Sequence, residues 1–270
     1  MYGPAPQTTP EGIKLYREDD FAGMRAAGRL AAEILDRIGA HVAPGVTTEA
    51  LDDAIDADMR RHGAVPATLG YRGYTKSSCI SINHVVCHGI PGPKKLKDGD
   101  VLNIDVTVIL DGWYGDTSRM FVAGRPARRA ERLIDVTHEA LMRGVAEVRP
   151  GATFGDIGAA IQGYVEGERC SVVRDFCGHG LGRGFHEPPN VLHFGRRGAG
   201  AVLRPGMFFT IEPMVNLGRA ETKTLADGWT AVTRDKSLSA QFEHSIGVTE
   251  DGCEIFTLSP AGRFHPTWDR

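Results

Sequence analysis

Val42-Ala-Pro-Gly45-Val-Thr47 recurs in the second half of the chain as Val148-Arg-Pro-Gly151-Ala-Thr153. Each copy follows a stretch with helical apolar spacing, in which Glu33, Leu35 and Arg37 correspond to Glu139, Leu141 and Arg143, so that one face of each helix suits burial. Each copy also precedes a second helix. Thr47 and Thr153 stand as N-caps, the pairs Leu51/Ile55 and Ile157/Ile161 lie one turn apart, and the runs end near His62 and Gly167. The correspondence continues into a strand: Gly99 precedes Val101-Leu-Asn-Ile-Asp105-Val, and Gly206 precedes Met207-Phe-Phe-Thr-Ile-Glu212. The expected fold is therefore α/β (α+β), with helix-helix-strand halves at about residues 20–125 and 126–250. A pseudo-two-fold arrangement of these halves brings an acid from each to an equivalent place. Chance recurrence of two common motifs competes with this explanation, but four features in the same order at a nearly constant offset weigh against it. Two copies are too few to stack as a solenoid.

The 270 residues are enough for a large core. With 41% hydrophobic and 24% charged residues, the composition excludes a disordered chain or a coiled coil. Glycine, at 34 residues, exceeds ordinary usage and points to tight turns and a loop-built site. A net charge of −3 and a pI near 6.4 offer no global attraction for nucleic acid or an anionic membrane. Lys94, Lys95 and Lys97, and the cluster of Arg125, Arg128, Arg129 and Arg132, are read as solvated faces. Five cysteines without a C-x-x-C pair indicate neither a disulfide framework nor a zinc module, and fit a reducing cytoplasm. No apolar run has the length of a membrane span, and Met1 to Pro10 lack the pattern of a secretion signal. Residues 1–12 are expected as a flexible tail, 13–260 as one domain carrying the site, and 261–270 as a C-terminal tail.

Asp111-Gly112 is a two-residue hairpin turn between Val101 and Val122. Centred there, it pairs Leu110 with Trp113 and Asp116 with Thr107, which shares a face with Asp105. The two aspartates become diagonal neighbours, with backbones about 7–8 Å apart. Two carboxylates aimed together between apolar strands require a proton or a cation. Glu212 stands between Ile211 and Pro213, and Glu243 lies in Ser239-Ala-Gln-Phe-Glu243-His, both in strand-like surroundings. His179 and His186 sit in Cys177-Gly-His-Gly-Leu-Gly-Arg-Gly-Phe-His186, a glycine-rich stretch read as neither helix nor well-packed strand; His88 occupies a Gly/Pro-bounded turn. Two Asp, two Glu and one His, without thiolate, suit Mn²⁺, Fe²⁺, Co²⁺ or Zn²⁺. Four carboxylates balance two divalent ions, which is a hydrolytic arrangement. No G-x-S-x-G elbow or P-loop competes with it.

From about Glu18 to Phe256 the chain resembles the type I methionine aminopeptidases. The resemblance rests on Asn83-His-Val-Val-Cys-His-Gly-Ile-Pro, Asn103-Ile-Asp-Val-Thr-Val, Gly115-Asp-Thr-Ser, Cys177-Gly-His-Gly-Leu-Gly-Arg-Gly-Phe-His-Glu-Pro-Pro, Phe209-Thr-Ile-Glu-Pro-Met and Ser239-Ala-Gln-Phe-Glu-His. It implies the pita-bread fold around a mostly antiparallel curved sheet, and removal of the initiator methionine before a small second residue. It further implies Asp105, Asp116, His179, Glu212 and Glu243 as ligands of two metal ions (Co, Mn, Fe or Zn). Asp116 and Glu243 would bridge them, with Asp105 on one side and His179 and Glu212 on the other. A bridging water or hydroxide would attack the scissile carbonyl, with Glu212 as general base and proton carrier. His88 and His186 would contact the departing nitrogen and the carbonyl oxygen. The methionine side chain would meet Tyr71, Tyr74, Cys79, Phe185 and Trp229, with Thr68 where many bacterial relatives have cysteine. Asn83, Val85 and Ser239 match a Na⁺ or K⁺ site.

The short segment from Glu212 to Glu243 lacks the insertion of type II relatives. The resemblance also implies a cytoplasmic monomer acting on nascent polypeptides, with transient ribosome contact, no stable nucleic-acid partner and no membrane. Steric exclusion of a bulky second residue predicts that Met1, followed by Tyr2, is retained. Two rivals share the fold: a proline-specific peptidase, which usually carries a large N-terminal domain, and a non-enzymatic binding protein, which loses metal ligands.

Overall fold

A computed structural model of the protein describes residues 6–267. Helices α1 (Glu18–Ile38) and α2 (Thr48–Arg61) belong to the first half, and α3 (Arg128–Ala146) and α4 (Phe154–Gly167) to the second. Phe21, Met24, Ala27, Ala31, Leu35 and Ile38 line one buried stripe of α1, the spacing that an amphipathic helix requires. Thr47 Oγ1 accepts from Ala50 N at 3.1 Å at the start of α2, while Asp156 Oδ2 accepts from Thr153 N at 2.7 Å at the start of α4. Both caps fall where the repeat predicts them.

The first-half hairpin joins Asp100–Leu110 to Trp113–Ala123 in the expected register, with Leu110 opposite Trp113 and Thr107 opposite Asp116. Asp111 and Gly112 both have positive φ, 50° and 76°, the conformation of the tight hairpin turn. α1 lies so close over this hairpin that a Cβ at Gly115 would overlap the Ala27 carbonyl. In the second half, Phe208–Ile211 pairs antiparallel with His244–Val248, and Met214–Asn216 with Ser239–Gln241. The register is the same on both sides of the break, which sets Glu212 opposite Glu243.

The halves interlock. One apolar cluster, centred on α3 and α4, includes Val101 and Met120 from the first-half hairpin. The other, centred on α1 and α2, takes Leu181, Phe208 and Phe256 from the second half. Polar bonds close the seam: Thr117 Oγ1 donates to Glu243 O at 2.7 Å, Ser245 Oγ to Asp116 O at 2.6 Å, and Asn103 Nδ2 to Gln241 O at 2.8 Å.

Three expectations are corrected. The N-terminal tail is shorter than residues 1–12 where the structure describes it: Gln7–Thr8 pairs with Lys14–Leu15, and Thr9 is buried. Residues 1–5 lie outside the described residues. The C-terminal tail is likewise anchored at its start, because Arg263 Nη1 donates to Asp36 O at 2.8 Å; residues 268–270 lie outside the description. Finally, Gly178–Gly180 is a buried strand. Cβ atoms there would overlap the carbonyl oxygens of Thr210 and Pro188, so glycine is what admits the close strand packing.

Candidate metal centre and its cleft

Four backbone segments deliver the acids and the histidine. Asp105 and Asp116 come from the hairpin, and His179 from the middle of the glycine-bounded strand. Glu212 and Glu243 were expected within strands; both stand just off strand ends, at the paired breaks. There the backbone is released from its ladder and Glu243 N donates across the seam to Ser118 O at 3.1 Å.

Ligand atoms of Asp116, His179 and Glu243 all lie within 4.8 Å of one another, and all three residues are buried. His179 Nε2 is 3.5 Å from Asp116 Oδ2 and 3.6 Å from Glu212 Oε1. Its Nδ1 lies 3.1 Å from Gly180 O; a carbonyl only accepts, so Nδ1 carries a hydrogen and Nε2 is the ring nitrogen that faces the carboxylates. Asp105 Oδ1 is buried without a hydrogen-bond partner among the described residues. Burial drives the Asp105 carboxyl well above its ordinary range, reinforced by the charges of Asp116 and Glu212. Glu243 is raised in the same direction, first by burial and then by Asp116, Glu212 and Asp105. Glu212 is pushed up to about 7 by burial, against the opposing pull of His179. Burial lowers the His179 pKa, but the hydrogen bond and charge of Asp116 and the charge of Glu212 outweigh it and raise the pKa overall. An orphaned carboxylate oxygen, crowded buried acids and an inward-facing imidazole nitrogen fit a divalent cation with oxygen and nitrogen ligands.

These five residues border a cleft of about 440 Å³ that is also lined by His88, His186, Thr68, Tyr71, Tyr74, Cys79, Phe185 and Trp229. The structure thus brings together every residue expected at the metal and methionine positions. His88 has φ 56° and follows strand Val85–Cys87, with its ring edge-on to Phe176 and Trp229. Burial lowers its pKa, and burial together with the His179 charge brings His186 down to about 4. Both imidazoles are therefore neutral near pH 7. The Tyr74 and Trp229 rings meet at 5.1 Å, and burial raises the Cys79 thiol, keeping it neutral. Thr68 Oγ1 donates to Lys76 O at 3.0 Å, so its hydroxyl is engaged by backbone. Asn83, Val85 and Ser239 are absent from the cleft lining; two of them meet, Ser239 N donating to Asn83 O at 2.8 Å.

Several neighbours went unread as site residues. Thr107 Oγ1 donates to Asp116 Oδ1 at 2.7 Å, Thr210 Oγ1 to Glu212 Oε1 at 2.9 Å, and Gln241 Nε2 to Glu212 Oε2 at 3.2 Å. The first stands opposite its acid, and the other two lie two positions before an acid; strand alternation could have marked them. His193, which accepts from Glu212 N at 3.0 Å, lies on a separate segment and has no such local signal.

A family model described as metallopeptidase family M24 matches residues 22–250. The chain is 60% identical to methionine aminopeptidase of Rickettsia prowazekii, over 95% of this chain and 99% of that protein. It is 57% identical to methionine aminopeptidase of Escherichia coli, over 91% of this chain and 94% of that one. The crystal structure of the Rickettsia prowazekii methionine aminopeptidase superposes with a TM-score of 0.91 at 61% identity, covering 91% of this chain and all (100%) of that chain.

Proposed function

The chain belongs to the methionine aminopeptidases of metallopeptidase family M24, and we propose that it removes the initiator methionine of nascent chains whose second residue is small. The observation that carries this reading is that one cleft is lined both by Asp105, Asp116, His179, Glu212 and Glu243 and by the apolar group Tyr74, Cys79 and Trp229. The polar floor suits metal-assisted hydrolysis, and the aromatic and sulfur wall suits a flexible thioether. Tyr71 and Phe185, with ring centroids 4.9 Å apart, complete the proposed wall.

We assign Asp105, Asp116, His179, Glu212 and Glu243 as the residues that would hold two divalent ions, with Asp116 and Glu243 shared between them in this proposal. Mn²⁺, Fe²⁺, Co²⁺ and Zn²⁺ all suit the set, so availability selects among them. When bound, such ions lower the pKa of water toward neutrality and polarise a carbonyl. The Glu212 carboxylate, oriented by Thr210 and Gln241, accepts the proton of the attacking water and returns it to the departing amine. His88 and His186, neutral donors, contact the departing nitrogen and the carbonyl oxygen where charge develops. A Na⁺ or K⁺ ion beside Asn83, Val85 and Ser239 belongs to the same proposal. Ser239 Oγ and, on its strand partner, Asn216 Oδ1 are buried without hydrogen-bond partners among the described residues, and a cation would satisfy them. The same proposal has the enzyme working on nascent chains in the cytoplasm, as a monomer with transient ribosome contact.

The test is to strip the protein of metal, restore Mn²⁺, Co²⁺, Fe²⁺ or Zn²⁺ separately, and follow Met-Ala-Ser, Met-Leu-Ser and Ala-Pro by mass spectrometry, with Asp116→Asn as control. Metal-dependent release of methionine from Met-Ala-Ser alone is expected. Cleavage of Ala-Pro alone, or none despite bound metal, overturns the proposal.

A further inference from the structure

Glu187 is absent from the cleft lining, immediately after His186, and its surroundings connect the cleft to the N-terminal segment. Residues 181–186 leave strand Gly178–Gly180 and return through strand Glu187–Val191, where Glu187 pairs with Gly180. The Glu187 side chain is only 12% exposed, and its Oε1 is 2.6 Å from Lys14 Nζ. Its Oε2 lies 3.5 Å from Tyr16 Oη. Tyr16 Oη in turn accepts from Arg183 N at 3.1 Å. The loop is drawn tightly onto these groups: a Cβ at Gly182 would overlap the Tyr16 hydroxyl, and one at Gly184 the Glu187 carboxylate. The Tyr16 ring is itself fixed by parallel stacking on Phe208 at 4.6 Å. On the cleft side of the loop, the His186 ring stacks on Tyr71 at 5.2 Å and lies 4.1 Å from that of His179, while Phe185 stacks on Tyr114 at 5.7 Å.

We propose that Glu187, held by Lys14 and Tyr16, is a positioning residue for the reaction, with the N-terminal hairpin of Gln7–Thr8 and Lys14–Leu15 acting as the strap that sets where Phe185 and His186 stand. The inference rests on the roles proposed above for those two residues. A glycine-rich loop has many accessible conformations, and an imidazole acts on the developing charge only from a narrow range of positions. The half-buried carboxylate, with a cation and a phenol behind it, selects one of those conformations from the side opposite the substrate. Lys14 and Tyr16 therefore act on the cleft without touching it.

Tyr16→Phe removes the hydroxyl and keeps the stacking on Phe208; Glu187→Gln keeps the shape and removes the charge. With the Mn²⁺-loaded enzyme and Met-Ala-Ser, each variant is expected to lower kcat by about ten- to a hundredfold, the scale of a small misplacement. KM, Mn²⁺ affinity by calorimetry and Tm should change little. In a His186→Ala background the same substitutions should have almost no further effect, because the group they position is gone. Unchanged kcat in both variants, an equal loss in the His186→Ala background, or a loss that follows Mn²⁺ affinity overturns the proposal. If His186→Ala matches the wild type, the role assigned to His186 fails, and the strap with it. The strap alone fails when His186→Ala is impaired while Tyr16→Phe and Glu187→Gln are not.

Discussion

Thr210 joins two of the proposed metal ligands through one hydroxyl, and replacing it by valine tests that link without altering shape. Thr210 is fully buried. Its Oγ1 accepts from His179 N at 3.0 Å and donates to Glu212 Oε1 at 2.9 Å. Valine removes both bonds at once. The N–H of the buried His179 then lacks that partner, which costs about 1–3 kcal/mol, and a hydrogen bond to a charged acceptor contributes about as much. Because the two share one atom, the combined loss should be about 2–4 kcal/mol rather than their sum, or about 4–8 °C in Tm for a chain of this size. Freed from Thr210, the Glu212 carboxylate and the His179 backbone should no longer converge, and metal affinity should fall about 10- to 100-fold. Thr210→Ser keeps the hydroxyl and should recover most of both losses. Calorimetric titration of metal-free protein with Mn²⁺, and kcat/KM on Met-Ala-Ser, read the outcome. A Thr210→Val protein that binds Mn²⁺ as tightly as the wild type, or a serine variant no better than valine, would refute the linkage.

Three further perturbations have defined outcomes. Gly115→Ala drives a Cβ into the Ala27 carbonyl, so α1 and the hairpin must separate; a loss of about 1–3 kcal/mol in urea unfolding and weaker Mn²⁺ binding are expected, and wild-type values for both would contradict the packing described. Arg119 Nη1 is 2.8 Å from Asp36 Oδ1 with both side chains 9% exposed, and Arg119→Met leaves that buried acid without its cation, at about 3–5 kcal/mol by the same measurement. His138 is brought down to about 4 by burial and by the nearby His265. The unfolded chain thus takes up this proton below about pH 6.5 while the folded one does not, so stability is full above that pH and falls as the pH drops toward 4. Because His138 is partly exposed, this amounts to about 1 kcal/mol at pH 5; His138→Phe should lessen the stability difference between pH 7 and pH 5, and an unchanged difference would argue against the assignment.

Local rules made the first half of the site legible. The Asp111-Gly112 turn sets the register of a continuous hairpin, and with it the placement of Asp105 and Asp116 before any long-range contact is considered. The duplicated segment then located Glu212 by correspondence with Asp105. The paired breaks at Glu212 and Glu243 were not legible, because they arise where one half docks on the other, through bonds such as Thr117 to Glu243 O between residues far apart in sequence. Gly178–Gly180 misled for a related reason. Its glycines record the approach of Thr210 and Pro188 backbone, not freedom from regular structure. The N-terminal segment looked like a tail because its partners, Glu187 and Gly206, lie in the other half.

The exchange of apolar side chains between the halves constrains how the protein assembles. A first half alone would leave Val101 and Met120 facing water and lack Leu181, Phe208 and Phe256, so neither interior closes until both are present. Asp105 and Asp116 can approach each other as soon as their hairpin forms, whereas His179, Glu212 and Glu243 reach them only across the finished seam. Metal occupancy would then be a late event in maturation and a readout of completed assembly, stabilising the joined state and no earlier one.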